Sequence, residues 1–293
     1  MAGDNGSRLE SSVREGDRRD ANAPRGPLAS AGSLEVRLAT TRSEIRRAQE
    51  LRYRVFFEEG GAIPDPTARL VRRDVCRFDR VCDHLIVVDN SETDPDGRPT
   101  VVGAYRLLLQ EVAQANFGFY SAREFQVGAL VARHPGRRFL ELGRSCVAHG
   151  HRGKRVLELL WRGIWAYATW RRIDAMFGCA SFPGVEPDKH AGTLRFLRGA
   201  NEVEALWRVA ALPQRAAPAV LAEEAPPRPR DALRGMPPLI KAYWRLGAKF
   251  SHEAVVDATF GTTDVFVVLP IEEIKSRYLA HFAPERESPP LAA

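Results

Sequence analysis

Lysine is scarce in this chain. Of its 43 cationic residues only Lys154, Lys189, Lys241, Lys249 and Lys275 are lysine, and the rest are arginine. Cysteine is scarce as well. Cys76, Cys82, Cys146 and Cys179 fall at spacings that match no zinc pattern. A chain of 293 residues can bury a core without disulfides, so reduced thiols are expected. No apolar run reaches the roughly 18 residues that a spanning helix needs. The opening Met1-Ala-Gly-Asp-Asn-Gly-Ser7 lacks the apolar segment of a secretory signal. Nucleic-acid motifs of the recognised kinds are missing, so no nucleic-acid partner is expected.

Few large apolar residues occur before Ser33, and residues 1–33 are expected to be a disordered leader. One domain is expected over residues 34–283, with a flexible insert at about 213–234 that is rich in Ala, Pro and charge. Residues 284–293 are expected to be a disordered tail. Apolar residues make up 44% of the chain, ordinary for a globular protein. The formal net charge is +6 and the pI is about 9.4, which favours an acidic partner.

The most informative stretch begins with Phe139-Leu-Glu-Leu-Gly-Arg-Ser-Cys-Val147. It reads as a strand that carries Glu141 and Arg144 among apolar residues. The turn His149-Gly-His-Arg-Gly-Lys-Arg155 comes next. Then Val156, Leu159, Leu160, Gly163, Ile164 and Tyr167 recur on one face of an amphipathic helix. Arg152, Gly153, Lys154 and Arg155 open that helix. Cations there oppose the helix dipole, so their placement is better explained by an anion, such as a phosphate, than by helix stability.

Before this centre, Leu34–Leu38 reads as a strand and Thr41-x-x-Glu44 as a capping box opening a helix. Leu85–Val88 and Val101–Leu109 read as a meander around an Asp94-Pro-Asp-Gly97 turn. After the centre, Ala175–Phe182 reads as a strand, 188–197 as a helix, and Pro237 to Gly247 as a helix with proline at its start and glycine at its end. The strands Ala254–Asp257 and Asp264–Leu269 and a closing helix over 271–282 complete the chain. The pattern predicts an α/β fold: a mixed, mostly antiparallel sheet flanked by helices, with a crossover in the middle and a C-terminal α/β extension.

This order resembles the GCN5-related acyltransferase superfamily. Within it, Leu51-Arg-Tyr-Arg-Val-Phe56, Cys82-Asp-His-Leu-Ile-Val-Val88, Glu141-Leu-Gly-Arg-Ser-Cys-Val147, Phe177-Gly-Cys-Ala-Ser-Phe-Pro183 and Pro237-Pro-Leu-Ile-Lys-Ala-Tyr-Trp-Arg-Leu-Gly-Ala248 look like the ornithine-acyl-carrier-protein N-acyltransferases. The likeness runs from about Leu34 to Phe282. It implies transfer of a 3-hydroxyacyl chain from acyl carrier protein to the α-amine of L-ornithine, giving lyso-ornithine lipid. It implies no tightly bound cofactor, the 4′-phosphopantetheine arriving on the carrier protein. A more distant resemblance to acyl-homoserine-lactone synthases matches Arg52 (or Arg54), Phe56, Asp79, Asp83, Arg106, Glu141 and Arg144. The turn departs from the acetyltransferase pattern. His151-Arg-Gly-Lys-Arg-Val156 holds one glycine where more small residues are usual, which disfavours coenzyme A as donor.

The implied reaction needs a base, a donor to the thioester oxygen, and two bound substrates. Glu141 is the expected base, with a structural ion pair to Arg144 as the alternative. Arg144 either holds the ornithine carboxylate or orients Glu141. Asp79 and Asp83 are expected to bind the ornithine side-chain ammonium, or else are solvated loop acids. Arg52 and Arg106 are expected to face the same cleft. Backbone N–H groups near Cys146 and Val147 are expected to polarise the thioester carbonyl, while Cys146 itself is expected to be a small buried residue. Phe117, Phe119, Tyr120 and Phe125 line an acyl tunnel or are plain core. His149 and His151 are too few to argue a metal, and none is expected. The amphiphilic product and positive charge point to peripheral contact of a cytoplasmic protein with the inner membrane. Three rivals stand beside this reading: the same fold with another amino acid or a homoserine-type acceptor, a non-catalytic module that binds acyl carrier protein or membrane, and a coenzyme A acetyltransferase, which the turn disfavours.

Overall fold

The computed structural model describes residues 24, 26–200, 205–217 and 227–274. Strand β1 (Ala29–Ala31) pairs antiparallel with β2 (Leu34–Leu38). Residues 29–31 therefore belong to the sheet and not to a disordered leader. Gly32, at a φ of +63°, makes the turn between them, and Leu28, Ala29 and Ala31 pack against the core. Residues 1–23 lie outside the described part.

Helix α1 (Arg42–Tyr53) starts at the expected capping box. The Glu44 N–H donates to Thr41 Oγ1, and the Thr41 N–H donates to Glu44 Oε2. The helix changes character after Tyr53. It widens into a π-helical turn over Arg54–Glu59 and ends at Gly60. A side chain at Gly60 would put its Cβ 2.7 Å from the Phe56 carbonyl oxygen, so the tight exit needs glycine. A short helix α2 (Pro66–Val71) and a 3₁₀ turn over Arg77–Arg80 lead to the hairpin β3 (Asp83–Thr93) and β4 (Pro99–Leu109). Two short helices, α3 (Gln110–Ala115) and α4 (Val127–Arg133), precede β5 (Phe139–Val147).

Helix α5 (Lys154–Arg171) crosses over to β6 (Ala175–Pro183), which runs parallel to β5. Helices α6 (Ala191–Ala200), α7 (Pro229–Gly235) and α8 (Pro238–Leu246) come next, then the hairpin β7 (Lys249–Asp257) and β8 (Thr262–Pro270). The eight described strands form one sheet in the order β1-β2-β3-β4-β5-β6-β8-β7, and among them only β5 and β6 are parallel neighbours. The expected extension is thus the far edge of the same sheet. The expected insert at 213–234 is structured at both ends. Ala216 bridges to Val255, and α7 opens at Pro229; residues 218–226 are not described. The expected closing helix is a 3₁₀ turn over Ile271–Glu273 as far as it is described.

Alternating strand residues feed two cores. Leu85, Val87, Leu107, Leu140 and Leu142 face α5. Gly163 lets that helix close on the sheet, since a Cβ there would meet Val36 Cγ2 at 2.6 Å. The other face carries Ile86, Val88 and Ala104 under α1, and Leu108, Phe139, Phe177, Phe266 and Val268 further along.

Candidate active site

Two irregularities in β5 build the site. The first is a bulge. Ala104 is opposite Cys146 but Arg106 is opposite Gly143, so β5 carries an extra residue, and Arg144 sits there at a φ of +55°. In a regular strand residues 141 and 144 would point to opposite faces; the extra residue turns both to the α1 side. The second is a divergence. The β5–β6 pairing ends at Glu141 opposite Phe177. Beyond it Gly178 lies so near Leu142 that a Cβ would fall 2.3 Å from the Leu142 carbonyl oxygen. A cleft of about 280 Å³ opens there, lined by Glu141, Gly143, Arg144 and Ser145 of β5, Cys179 to Ser181 of β6, Tyr120, Phe260 and Leu239.

Glu141 is buried at the floor of this cleft. Its Oε2 accepts the Tyr120 N–H at 2.7 Å, and its Oε1 accepts the Ser121 N–H at 2.7 Å and the Ser121 hydroxyl. Burial pushes its carboxyl above the usual range, and the bonds from Ser121 and Tyr120 pull it only partly back. The Glu141–Arg144 ion pair, the alternative to a base at Glu141, is not made. Arg144 Nε instead donates to Asp74 at 3.0 Å, a terminal nitrogen lies 3.4 Å from the Tyr120 hydroxyl, and the guanidinium is held between the Tyr120 and Phe260 rings.

Below the cleft lies a buried charge network that the sequence shows only in part. Arg52, 1% exposed, donates from Nε to Asp74 at 2.8 Å and from Nη2 to both Asp79 oxygens at 3.0 and 2.9 Å. Asp79 also accepts from Gln49, from the Cys76 N–H and from Arg106 at 3.4 Å. Burial alone would raise the Asp79 carboxyl, but Arg52 and Arg106 hold it far below the usual range. Four donors therefore occupy Asp79, and its place is in the buried network and not on the cleft wall. Arg52 is the network member, and Arg54 is exposed. Arg106 reaches the cleft wall. Asp83 is the clear correction. It lies on the α5 face of β3, where it accepts the Tyr167 hydroxyl at 2.6 Å, away from the cleft.

Cys146 is buried against α1, and burial pushes its thiol up to about 12, no setting for a nucleophile. The cleft wall on β5 runs through Gly143, Arg144 and Ser145, so the expected backbone donors Cys146 and Val147 lie just beyond it. Among the four aromatics, Phe119 and Phe125 are core, Phe117 is exposed and Tyr120 lines the cleft. At the basic turn, Arg152 pairs with Glu59, Lys154 reaches Glu158 at 2.9 Å, and Arg155 is exposed. Gly153 is the helix N-cap, so no side chain caps the first N–H groups of α5. His151 lies 3.5 Å from both Asp89 and Glu92.

The sequence reading missed Asp74, Ser121, Glu124, Asp257 and Asp264. Asp74 holds Arg52 and Arg144. Asp257 and Asp264 line the cleft, and Glu124 lines the recess that adjoins it through Tyr120, Arg144 and Phe260. An acid heading the apolar strand Asp264-Val-Phe-Val-Val-Leu269 is the signal that could have pointed there.

Residues 51–162 match the acetyltransferase (GNAT) domain model. The chain is 51% identical over 262 residues to an L-ornithine N(alpha)-acyltransferase of Agrobacterium fabrum, covering 89% of each. It is 50% identical to the enzyme of that name from Rhizobium meliloti, covering 87% of this chain and 86% of the relative. The chain belongs to the L-ornithine N(alpha)-acyltransferase family. An N-acyl amino acid synthase from uncultured soil microbes is a solved structure with similarity to it, with a TM-score of 0.48, 12% identity, and coverage of 85% of this chain and 98% of that one. The sheet of this acyltransferase that carries the cleft is a GNAT sheet, and no described helix is long and apolar enough to cross a membrane.

Proposed function

We propose that this enzyme transfers a 3-hydroxyacyl chain from acyl carrier protein to the α-amine of L-ornithine, giving lyso-ornithine lipid. The observation that carries the chemistry is the buried carboxylate of Glu141 at the point where β5 and β6 part. Its Oε2 takes a single N–H, from Tyr120, and so has room for a further donor. Its raised carboxyl suits it to take a proton near neutrality. Glu141 removes a proton from the α-ammonium. The neutral amine attacks the thioester carbonyl, the C–N bond forms, and the C–S bond breaks. The proton left on nitrogen goes to the departing thiolate, and Glu141 returns its proton to solvent. Arg144, fixed by Asp74 and two rings, is placed to meet the amino-acid carboxylate.

The acceptor reading is supported by the family, whose curated members are named for ornithine. The donor reading is supported by the uncapped N-terminus of α5 and by the exposed Lys154 and Arg155, which suit a phosphate on an acidic protein. The amphiphilic product and the net charge of +6 support peripheral contact with an anionic inner membrane from the cytoplasmic side.

The test is direct transfer with purified enzyme. A 3-hydroxyacyl carrier protein and the matching acyl-coenzyme A are offered separately, each with ornithine and a panel of amino acids and homoserine derivatives. Mass spectrometry reads the product. N-acyl ornithine from the carrier-protein donor is expected; equal use of coenzyme A refutes the donor, and another acceptor refutes ornithine.

A further inference from the structure

We propose that Glu124, Asp257 and Asp264 form the pocket that receives the side-chain ammonium of the amine substrate, and that they select a diamino acid over an uncharged one of the same shape. This rests on the ornithine reading above and reassigns the role that Asp79 and Asp83 cannot fill. One oxygen from each of the three acids lies within 4.8 Å of the others.

Proximity of acids is not by itself a site. The deciding observation is Asp264, which is 6% exposed and lines the cleft, and whose Oδ1 has no hydrogen-bond partner among the described residues. A buried carboxylate oxygen without a donor is costly, and a cation entering the cleft supplies the donor. The cations already nearby do not. Arg144 is committed to Asp74, and Arg215 reaches Glu124 Oε1 at 3.2 Å from a side chain that is 41% exposed. Among the described residues Asp257 accepts the Thr259 and Phe260 N–H groups. Burial raises the Asp264 carboxyl in spite of the nearby Ser181 and Thr262 side chains, and a bound ammonium would bring it back down.

The pocket is also in the right place. Asp264 is on the same sheet face as Glu141, and the Cys179 thiol between them feels the charges of Asp264, Glu124 and Glu141 together. Glu124 comes just after the Tyr120–Ser121 segment that Glu141 itself anchors. A substrate with two amines can set one at Glu141 and the other at the acid pocket. An ammonium held there cannot reach the thioester, so the α-amine reacts.

The experiment compares L-ornithine with L-norvaline, which has the same carbon chain and no terminal amine. Wild type is expected to favour ornithine strongly in kcat/KM. Asp264→Asn is expected to reduce the ornithine-to-norvaline ratio about 10- to 100-fold, through the KM for ornithine, the value of one charged hydrogen bond. Asp257→Asn, at the half-buried rim, is expected to act in the same direction and serves if Asp264→Asn does not fold. Parallel losses on both substrates, or a wild type indifferent to the terminal amine, overturn the pocket while leaving the acyltransferase intact. A wild type that acylates neither refutes the ornithine reading and this inference with it.

Discussion

Glu141 and Arg144 line one cleft from one strand, yet each is held by a different part of the chain. Glu141 takes its bonds from Tyr120 and Ser121, and Arg144 gives its Nε to Asp74. A direct ion pair between them would have occupied both. Kept apart, one remains a base and the other a cation, and the bulge at Arg144 is what places them together.

Glu141→Gln is expected to lower kcat about 10²- to 10⁴-fold, the usual share of a general base. The wild-type rate should rise with pH through a value above the ordinary glutamate pKa, because burial raises this carboxyl, and the variant should lose that limb. The sign for stability is opposite. The folded enzyme holds the Glu141 proton at pH values where the unfolded chain has released it, so stability falls as pH rises through that window. Melting temperatures of wild type and variant across pH, set beside the rate profiles, check both.

Asp79→Ala leaves Arg52 and Arg106 buried with one carboxylate fewer. A loss of about 3–5 kcal/mol is expected, as for other broken buried pairs. The Asp79 carboxyl is held low in the fold, so its contribution is present above the ordinary aspartate value and is lost as pH falls below it. Urea unfolding near neutrality and at pH 3 reads this: the gap between wild type and Asp79→Asn should narrow in acid.

The strands, the capping box, the crossover and the glycine-ended α8 were legible because they depend on local periodicity and end chemistry. The same is true of Glu141, a charge in an apolar strand. What was not legible depends on register and on distant pairing. No local rule places an extra residue at Arg144, and a regular strand would have put Glu141 and Arg144 on opposite faces of the sheet. Asp79 and Asp83, four apart in one acidic stretch, look alike in sequence; Asp79 is in a 3₁₀ turn under the cleft, while Asp83 opens strand β3 on the α5 face. The π-helical exit of α1 has the sequence of an ordinary helix, and Asp74 becomes visible only when the loop after α2 folds under Arg52.

Asp83→Asn tests that separation. It loses a charged partner of the Tyr167 hydroxyl on the α5 face, so about 1–2 kcal/mol of stability should go. The KM for ornithine should stay within about twofold, the size of an effect without contact. A large rise in that KM, with the fold intact by circular dichroism, would return Asp83 to the substrate site.

Gly178→Ala acts on the divergence of β5 and β6. Its Cβ would fall 2.3 Å from the backbone oxygen of Leu142, and backbone cannot step aside as a long side chain does. A cost of about 1–3 kcal/mol or more is expected from overpacking alone. The strands should also part earlier, moving Glu141 relative to β6. Thermal melting and steady-state kinetics together are the check, with kcat falling even at temperatures where the variant is fully folded.

The basic turn gives a variant in which folding and function pull in opposite directions. Lys154→Glu with Arg155→Glu places acidic side chains in the first turn of α5, where they favour the helix dipole by a few tenths of a kcal/mol each. The melting temperature should therefore hold or rise slightly, although the Lys154–Glu158 pair is lost. If the turn meets the phosphate and acidic surface of a carrier protein, the KM for that donor should rise about tenfold at low salt. The difference should shrink as ionic strength shortens the screening length, and the KM for ornithine should not move. A donor KM equal to wild type at every salt concentration would place donor docking elsewhere on the surface, because no loss of folding could hide the result.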